Sequence, residues 1–326
     1  MVRHDILHLL SEHAGDYVSG ERISQQLNVT RAAIWKQIKV LKEEGFEIEG
    51  LTKNGYRLLK MPLSLDEWVL KQVLTTTSLG CTICLEDELA STNDRAKVLA
   101  RQGGVHGQII LAKHQSAGQG RLQRQWESPR GGLWMSVILR PNLSLADASK
   151  ITLAASVAIV DALRELFQLR IGIKWPNDLI FNGQKIAGIL GEVVGEWNSV
   201  QTLILGMGLN VNFKRERLST PLNATTLYDI LGYEVDLNIL AATILKHLEN
   251  RLMSLERKAF EELRLSWSER AVGLGEEVRI LRGEQVVQGI FKGISLEGAL
   301  LLETEGGEQS FLAGEVQLRS KMGKYF

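Results

Sequence analysis

Apolar residues recur at helical spacing over Arg3–His13 and again in RAAIWKQIKVLKEEG, where Ile34, Ile38 and Leu41 share one face. Between them lies SGERISQQL, with Ser19 and Thr30 standing at N-cap positions. The three-residue link NVT has the length of a helix-turn-helix connection. After Gly45 the pattern becomes strand-like in FEIEGLTKNGYRLL, and Asn54-Gly55 is a tight-turn signal. Three helices and a hairpin predict a winged helix-turn-helix over residues 1–62. Pro62 then breaks the chain, and Ser64 with Glu67 makes a capping box for the next helix.

From 63 to 270 the pattern predicts strands at Thr82–Glu86, Gln108–Lys113 and Leu133–Arg140. Helices are expected at Asn93–Arg101, Ala146–Phe167 and through Asp236–Arg270. IGIKW, DLIFNGQKIAGILGEVV and VQTLILGMGLNVN read as strands, turned at NGQ and at Gly195–Ser199. Strands in hairpins with helices in blocks predict a mixed, largely antiparallel sheet packed on helices. Over 271–326, short glycine-separated strands (EEVRIL, VVQGIFKGI, ALLLET, QSFLAG, EVQLR) predict a small barrel. The fold class is therefore α+β and multidomain, with segments 1–62, 63–270 and 271–326.

Composition narrows the functional classes. The 326 residues are 44% hydrophobic and 23% charged, with a net charge of +0, so attraction to nucleic acid or membrane must be local. No run approaches the roughly 18 apolar residues of a membrane span. The first residues, MVRHDILHLL, are too short and too charged for a signal peptide. Cys81 and Cys84 are the two cysteines, which argues against a disulfide framework and fits a reducing cytoplasm. With no second pair, they read as strand packing rather than a metal site.

Four stretches carry candidate chemistry. HQSAGQGRLQRQW, His114–Trp126, combines glycines, arginines and an aromatic without an acid. It is neither a Walker A loop nor a dinucleotide fingerprint. Gly118 and Gly120 let backbone amides approach an anion, Arg121 and Arg124 offer bidentate forks, and Trp126 a flat face. Read alone, it is more readily a surface loop with solvated arginines. KWPNDLIFNGQKIAGILGE places Asn177 and Asp178 at a strand end and Lys185 at the start of the next strand. Taken separately, these are a turn and a solvated lysine. STNDRAK at Ser91 reads as an N-cap, and GMGLNVN as a core strand with close backbone packing.

In this order and at these separations, STN, AGxGRxxRxW, KWPND with a lysine seven residues beyond Asp178, and GxGxN resemble the biotin protein ligases. With the flanking segments, the chain is similar to the bifunctional ligase-repressor type, with a class II synthetase-like centre and an SH3-like C-terminal barrel. The resemblance implies activation of biotin by ATP to biotinyl-5′-AMP, then transfer to a lysine of the biotin carboxyl carrier protein of acetyl-CoA carboxylase. It implies no tightly bound cofactor and no protein metal site, with Mg2+ arriving on ATP. By the family pattern Ser91, Thr92, Asn93, Gln115, Gly118, Gln119, Gly120, Arg121 and Lys185 bind biotin. Arg121, Arg124, Trp126, Asn177, Lys185 and Asn210 bind ATP or adenylate, and Lys185, Arg121 and Asp178 are catalytic. Many relatives carry arginine where this chain has Gln119. Two rival readings are a lipoate-type adenylating ligase and a biotin-sensing repressor without ligase activity.

For the N-terminal segment, Arg31, Lys36, Lys39, Lys53 and Arg57 are the expected DNA-contacting residues, with Lys42 and Lys60 adding charge. Glu43, Glu44, Glu47 and Glu49 nearly cancel them. Operator binding is therefore expected to need two copies, and the resemblance implies a homodimer of the central sheet favoured by adenylate.

Overall fold

The computed structural model describes residues 2–141, 148–194, 202–219, 223–257, 259–282, 284–312 and 316–322. The chain forms two compact units, Met1–Val73 with Asp236–Asn238, and Leu74–Val235 with Ile239–Phe326. The expected turn at Gly195–Ser199, the start of the helix at Ala146 and the end of the strand QSFLAG lie outside the described residues.

The first unit contains α1 (Val2–Glu12), α2 (Gly20–Leu27), α3 (Arg31–Glu43), β1 (Glu47–Leu51), β2 (Gly55–Lys60) and α4 (Glu67–Val73). Ser19 caps α2 by accepting from Arg22 N at 3.1 Å, and Thr30 caps α3 by accepting from Ala33 N at 3.2 Å. Ile6, Leu7, Ile23, Ile34, Ile38, Leu41 and Phe46 form the shared core. Each such burial contributes roughly 1.5–3 kcal/mol against chain entropy. The wing turns through Thr52–Asn54, with Lys53 at φ 75° and Leu51 opposite Gly55, rather than through a two-residue Asn-Gly turn. Gly55 is needed for another reason. At φ 107° its backbone lies against Val18, and a Cβ there would sit 2.0 Å from Val18 O. The cap of α4 is Asp66, not Ser64. Its carboxylate accepts from Trp68 N at 3.0 Å and Val69 N at 3.1 Å.

The second unit is built on a seven-stranded sheet, order β3-β4-β5-β9-β8-β7-β6. The strands are β3 (Ile83–Glu86), β4 (Ile109–Ala112), β5 (Leu133–Leu139), β6 (Gly172–Lys174), β7 (Asp178–Phe181), β8 (Gln184–Val194) and β9 (Thr202–Leu209). β3 and β4 run parallel and the remaining neighbours antiparallel, the mixed sheet expected. Asn182 at φ 48° and Gly183 at φ 80° make the tight two-residue turn from β7 to β8. Helix α5 (Thr92–Arg101) packs on β4, β5 and β9, and α6 (Ala148–Phe167) on β6, β7 and β8.

The apolar run after residue 226 divides into α7 (Leu227–Leu231), α8 (Leu237–Glu256) and α9 (Phe260–Ser268). Beyond lie β10 (Glu277–Arg282), β11 (Gln285–Ile294), β12 (Leu300–Thr304), β13 (Gly307–Phe311) and β14 (Val316–Ser320). They pair antiparallel in the order β13-β12-β11-β10-β14. Trp267 of α9 meets Phe291 of β11 edge to face, centroids 6.4 Å apart. No described helix is long and apolar enough to cross a membrane.

Candidate active site

A cavity of about 490 Å³ opens on the seven-stranded sheet, and all four motifs reach it. At one end stands the N-terminus of α5. Ser91 Oγ accepts from Asp94 N at 3.3 Å, so it is the N-cap as well as a lining residue. Thr92 N donates to Gln115 Oε1 at 2.7 Å, and Gln115 Nε2 donates to Ser128 Oγ at 2.8 Å. Buried Ser136 lies within hydrogen-bonding distance of Thr92 Oγ1, 2.7 Å, and Asn93 Oδ1, 2.6 Å. Asn93 Nδ2 donates to Glu192 of β8 at 2.7 Å, and Lys97 pairs with Glu192 at 2.9 Å. Ser136 lies outside every motif, and Glu192 and Lys97 stand at the far ends of theirs, where spacing marks no role. The sheet brings Ser136 and Glu192 under α5, which carries Lys97 itself.

The GMGLN strand shows why its glycines are there. Gly206, Gly208 and Asn210 alternate onto one face. A Cβ on Gly206 would lie 2.2 Å from Asn93 Oδ1, and one on Gly208 would lie 2.6 Å from Trp126 Nε1. Gly188 of β8 makes room for the same indole, since a Cβ there would meet Trp126 Cζ3 at 3.0 Å. Each glycine is a slot for a side chain of the site. Asn210 is 2% exposed, its Nδ2 donates to Thr225 O at 3.1 Å, and its Oδ1 has no partner among the described residues.

The loop from His114 to Trp126 folds back on itself. Gly120 N donates to Arg124 O at 2.7 Å and Trp126 N to Gly118 O at 2.9 Å. Leu122 and Gln123 both adopt φ 57°, a left-handed conformation costing about 1 kcal/mol or more for such residues. Gln119, Gly120, Arg121, Arg124 and Trp126 line the cavity. Gly118 does not line it. It is buried against its own loop, where a Cβ would sit 2.4 Å from Trp126 O. Gln119 Nε2 donates to Asp94 Oδ2 at 3.1 Å.

Much of the remaining lining is cationic. Lys185 Nζ is 2.5 Å from Asp178 Oδ1 and 4.8 Å from the Trp126 ring centroid. Arg121 donates to Asn177 Oδ1 at 3.3 Å, and Asn177 Nδ2 donates to Ile189 O at 2.8 Å. Burial holds the Arg121 guanidinium below its ordinary value, against the pull of Asp178. Lys174, the first residue of KWPND, is 2% exposed and lines the cavity, a second ammonium beside Lys185. Burial pushes its pKa down to about 7, with Asp178 opposing and Arg319, Lys185 and Arg124 adding to the fall. Arg319, from β14, also lines the cavity. Arg121, Arg124, Lys174, Lys185 and Arg319 thus face two lining carboxylates, Asp178 and Glu127. Glu127 already accepts from Ser219 N at 2.9 Å. Lys174 is buried, Arg121, Lys185 and Arg319 are half-buried and Arg124 is exposed, so this excess of positive charge suits an anion entering the cavity. Among the described residues no cluster of three His, Cys, Asp or Glu could hold a metal ion.

In the first unit, Arg31, Lys36 and Lys39 are exposed on α3, and Lys53 is exposed at the wing tip. Arg57 is placed differently. It donates to Glu49 Oε2 at 2.7 Å, to Gly15 O at 3.2 Å, and its guanidinium lies 4.6 Å from the Tyr17 ring centroid. Lys60 pairs with Glu47 at 3.4 Å.

A polar cradle and a cationic wall on one mixed sheet, with a separate helix-turn-helix unit, define a ligase of the adenylating class that carries a DNA-binding module. The chain belongs to the biotin protein ligase family. Residues 88–210 match the biotin/lipoate A/B protein ligase family, 2–57 an HTH domain and 273–319 the biotin protein ligase C-terminal domain. It is 36% identical to the bifunctional ligase/repressor BirA of Bacillus subtilis (strain 168), over 97% of this chain and 98% of that one. Identity to the bifunctional ligase/repressor BirA of Escherichia coli (strain K12) is 30%, covering 94% of each chain. Among solved structures, the biotin protein ligase from Aquifex aeolicus in complex with biotin and ATP aligns with a TM-score of 0.66 and 33% identity. That alignment covers 74% of this chain and all of the other, 100%.

Proposed function

We propose that the cavity joins biotin to ATP and passes the biotinyl group to a lysine of a biotin carboxyl carrier protein, the acceptor subunit of acetyl-CoA carboxylase. The observation that carries this reading is a single cavity lined both by amides and hydroxyls at α5 and by five cations. A ureido ring needs paired donors and acceptors, which Ser91, Thr92, Asn93 and Gln115 supply with backbone from Gln119 and Gly120. The triphosphate, with Mg2+ as part of the substrate, is met by Lys174, Lys185, Arg121, Arg124 and Arg319. Asn210 Oδ1, buried and unpartnered, is the acceptor for the adenine amino group. Trp126 covers the base, and Asn177 holds Arg121 toward the phosphates.

In the first step a biotin carboxylate oxygen attacks the α-phosphorus. The bond to the β-phosphate oxygen breaks and pyrophosphate leaves. Two anions must approach each other, so positioned cations lower the barrier where charge is most crowded. Lys185 stands at that junction, and Arg121 clamps the mixed anhydride. In the second step the acceptor amine attacks the biotinyl carbonyl carbon, the carbon–oxygen bond to AMP breaks, and Asp178 receives the amine proton. No covalent bond to the enzyme is needed.

Through the helix-turn-helix unit the protein acts as a biotin-dependent repressor in the cytoplasm, binding its operator as a homodimer that adenylate favours. Purified protein with biotin, MgATP and a carrier domain should add one biotinyl group to the carrier, read by mass. Parallel reactions with lipoate separate the lipoate-ligase reading. A carrier of unchanged mass, or one modified by lipoate in preference to biotin, would sink the assignment.

A further inference from the structure

Helix α3 buries Ile34, Ile38 and Leu41 at 0%, 3% and 0% exposure, yet Trp35 is 61% exposed. Its side chain does not take part in the core of its unit. Arg31 and Lys39 lie one turn to either side of it, and Lys36 and Lys42 complete an exposed cationic surface. An indole among cations suits a polyanion that also offers an apolar group. A helix with its side chains, about 10–12 Å across, fits the major groove of DNA, about 12 Å wide. The apolar group displayed on base edges there is the thymine C5-methyl.

We propose that Trp35 is a specificity-determining residue that reads a thymine methyl in the major groove, while Arg31, Lys36 and Lys39 hold the flanking phosphates. The proposal rests on the DNA-binding reading of the helix-turn-helix unit. It assigns sequence preference to an apolar contact rather than to the cations, which contact backbone and carry little sequence information. Trp35 is solvated and caps nothing, so its replacement leaves the core of the unit intact.

The test is selection from a randomised duplex library by full-length protein with biotin and MgATP, using wild type, Trp35→Gln and Trp35→Phe. Wild type and Trp35→Phe should recover sites sharing a thymine at a fixed position of each half-site. Trp35→Gln should recover the same sites with that position degenerate. Replacing the thymine by deoxyuridine should weaken wild-type binding by about fourfold per half-site, the worth of one buried methylene, and leave Trp35→Gln binding unchanged. The same thymine in all three selections, or indifference to the methyl group, overturns the proposal while leaving DNA binding intact. Wild type that enriches no duplex overturns both. So does wild type that enriches no duplex but binds phosphatidylglycerol vesicles with a blue shift of its indole emission.

Discussion

Lys174 and Lys185 are alike in type but differently situated. Lys185 has a carboxylate 2.5 Å away, whereas Lys174 lies buried with its pKa drawn down to about 7 by burial foremost. An incoming triphosphate favours the charged form, so its pKa must rise on binding. We predict proton uptake when MgATP binds between about pH 7 and 9, measured by calorimetry in buffers of different ionisation enthalpy. Lys174→Met should abolish that uptake and weaken ATP more than biotin. Binding with no buffer dependence in wild type would exclude this linkage. Lys185→Ala, by contrast, should slow biotin-dependent pyrophosphate exchange by a factor of a hundred or more, roughly the 2.7–4 kcal/mol of a lost contact to developing charge. Exchange within a few-fold of wild type would remove Lys185 from the first step. Lys185 was legible because it falls at a fixed distance from Asp178. Lys174 was not, because a lysine at a strand end is ordinarily solvated, and only the sheet with β14 encloses it.

At the scale of elements, strand β9 shows how the site is divided and helix α8 how its unit is tied together. β9 separates the cavity into slots, so the two glycines should be distinguishable. Gly206→Ala must displace Asn93 and should raise KM for biotin more than for ATP. Gly208→Ala must displace Trp126 and should do the reverse. Equal effects on both substrates would contradict the separation of slots, and steady-state kinetics decides it. Helix α8 is tied down by Glu249, whose carboxylate accepts from Thr77 N at 2.9 Å, Ser78 N at 2.7 Å and Leu79 N at 3.0 Å. Burial alone would raise that carboxyl, but the three amides and the Ser78 hydroxyl outweigh it and bring it down to about 2. Its folded pKa is below its unfolded one, so its stabilisation is complete above the unfolded value and fades as pH falls toward 2. Glu249→Gln should cost about 2 kcal/mol of unfolding free energy at pH 7, the range for hydrogen bonds to a charged group. The gap between variant and wild type should shrink through pH 4.5 to 2 in denaturant titrations. A gap constant with pH would show that the charge is immaterial. Sequence periodicity found these elements but not the tie, which joins residues about 170 positions apart.

For the whole molecule, a net charge of +0 leaves DNA attraction to local surfaces. Within the first unit the wing cations Arg57 and Lys60 are matched by Glu49 and Glu47. On α3, Lys39 lies 4.0 Å from exposed Glu43, a loose pair, and that helix with Lys53 is left to meet phosphate, only a few contacts per copy. Each phosphate neutralised contributes about −0.9 to the slope of log affinity against log salt, so a dimer should show about twice the monomer's slope. Biotin with ATP should move the protein from the shallow to the steep regime, by as much as adenylate favours the dimer. Titration of a selected duplex across a salt series, with and without the two substrates, measures this. One slope under both conditions would uncouple repression from ligation.

The sequence by itself determined the helix-turn-helix, the mixed sheet, the antiparallel C-terminal strands and the four motifs. Periodicity, caps and turn residues are local properties, and Ser19, Thr30 and Asn182-Gly183 act as local chemistry requires. The last strands form the expected antiparallel sheet, order β13-β12-β11-β10-β14. What tertiary structure decided was which side chains meet. It set half-exposed Arg57 in an ion pair with Glu49 on the wing, and packed Gly118 against its own loop. It also brought Lys174, Ser136, Glu192 and Arg319 to a site that motif spacing did not assign them. The Arg57 pair depends on the register of β1 and β2, and the site residues on that of β5, β8 and β9 and on the seating of β14; contacts between distant segments leave no periodic trace in the chain.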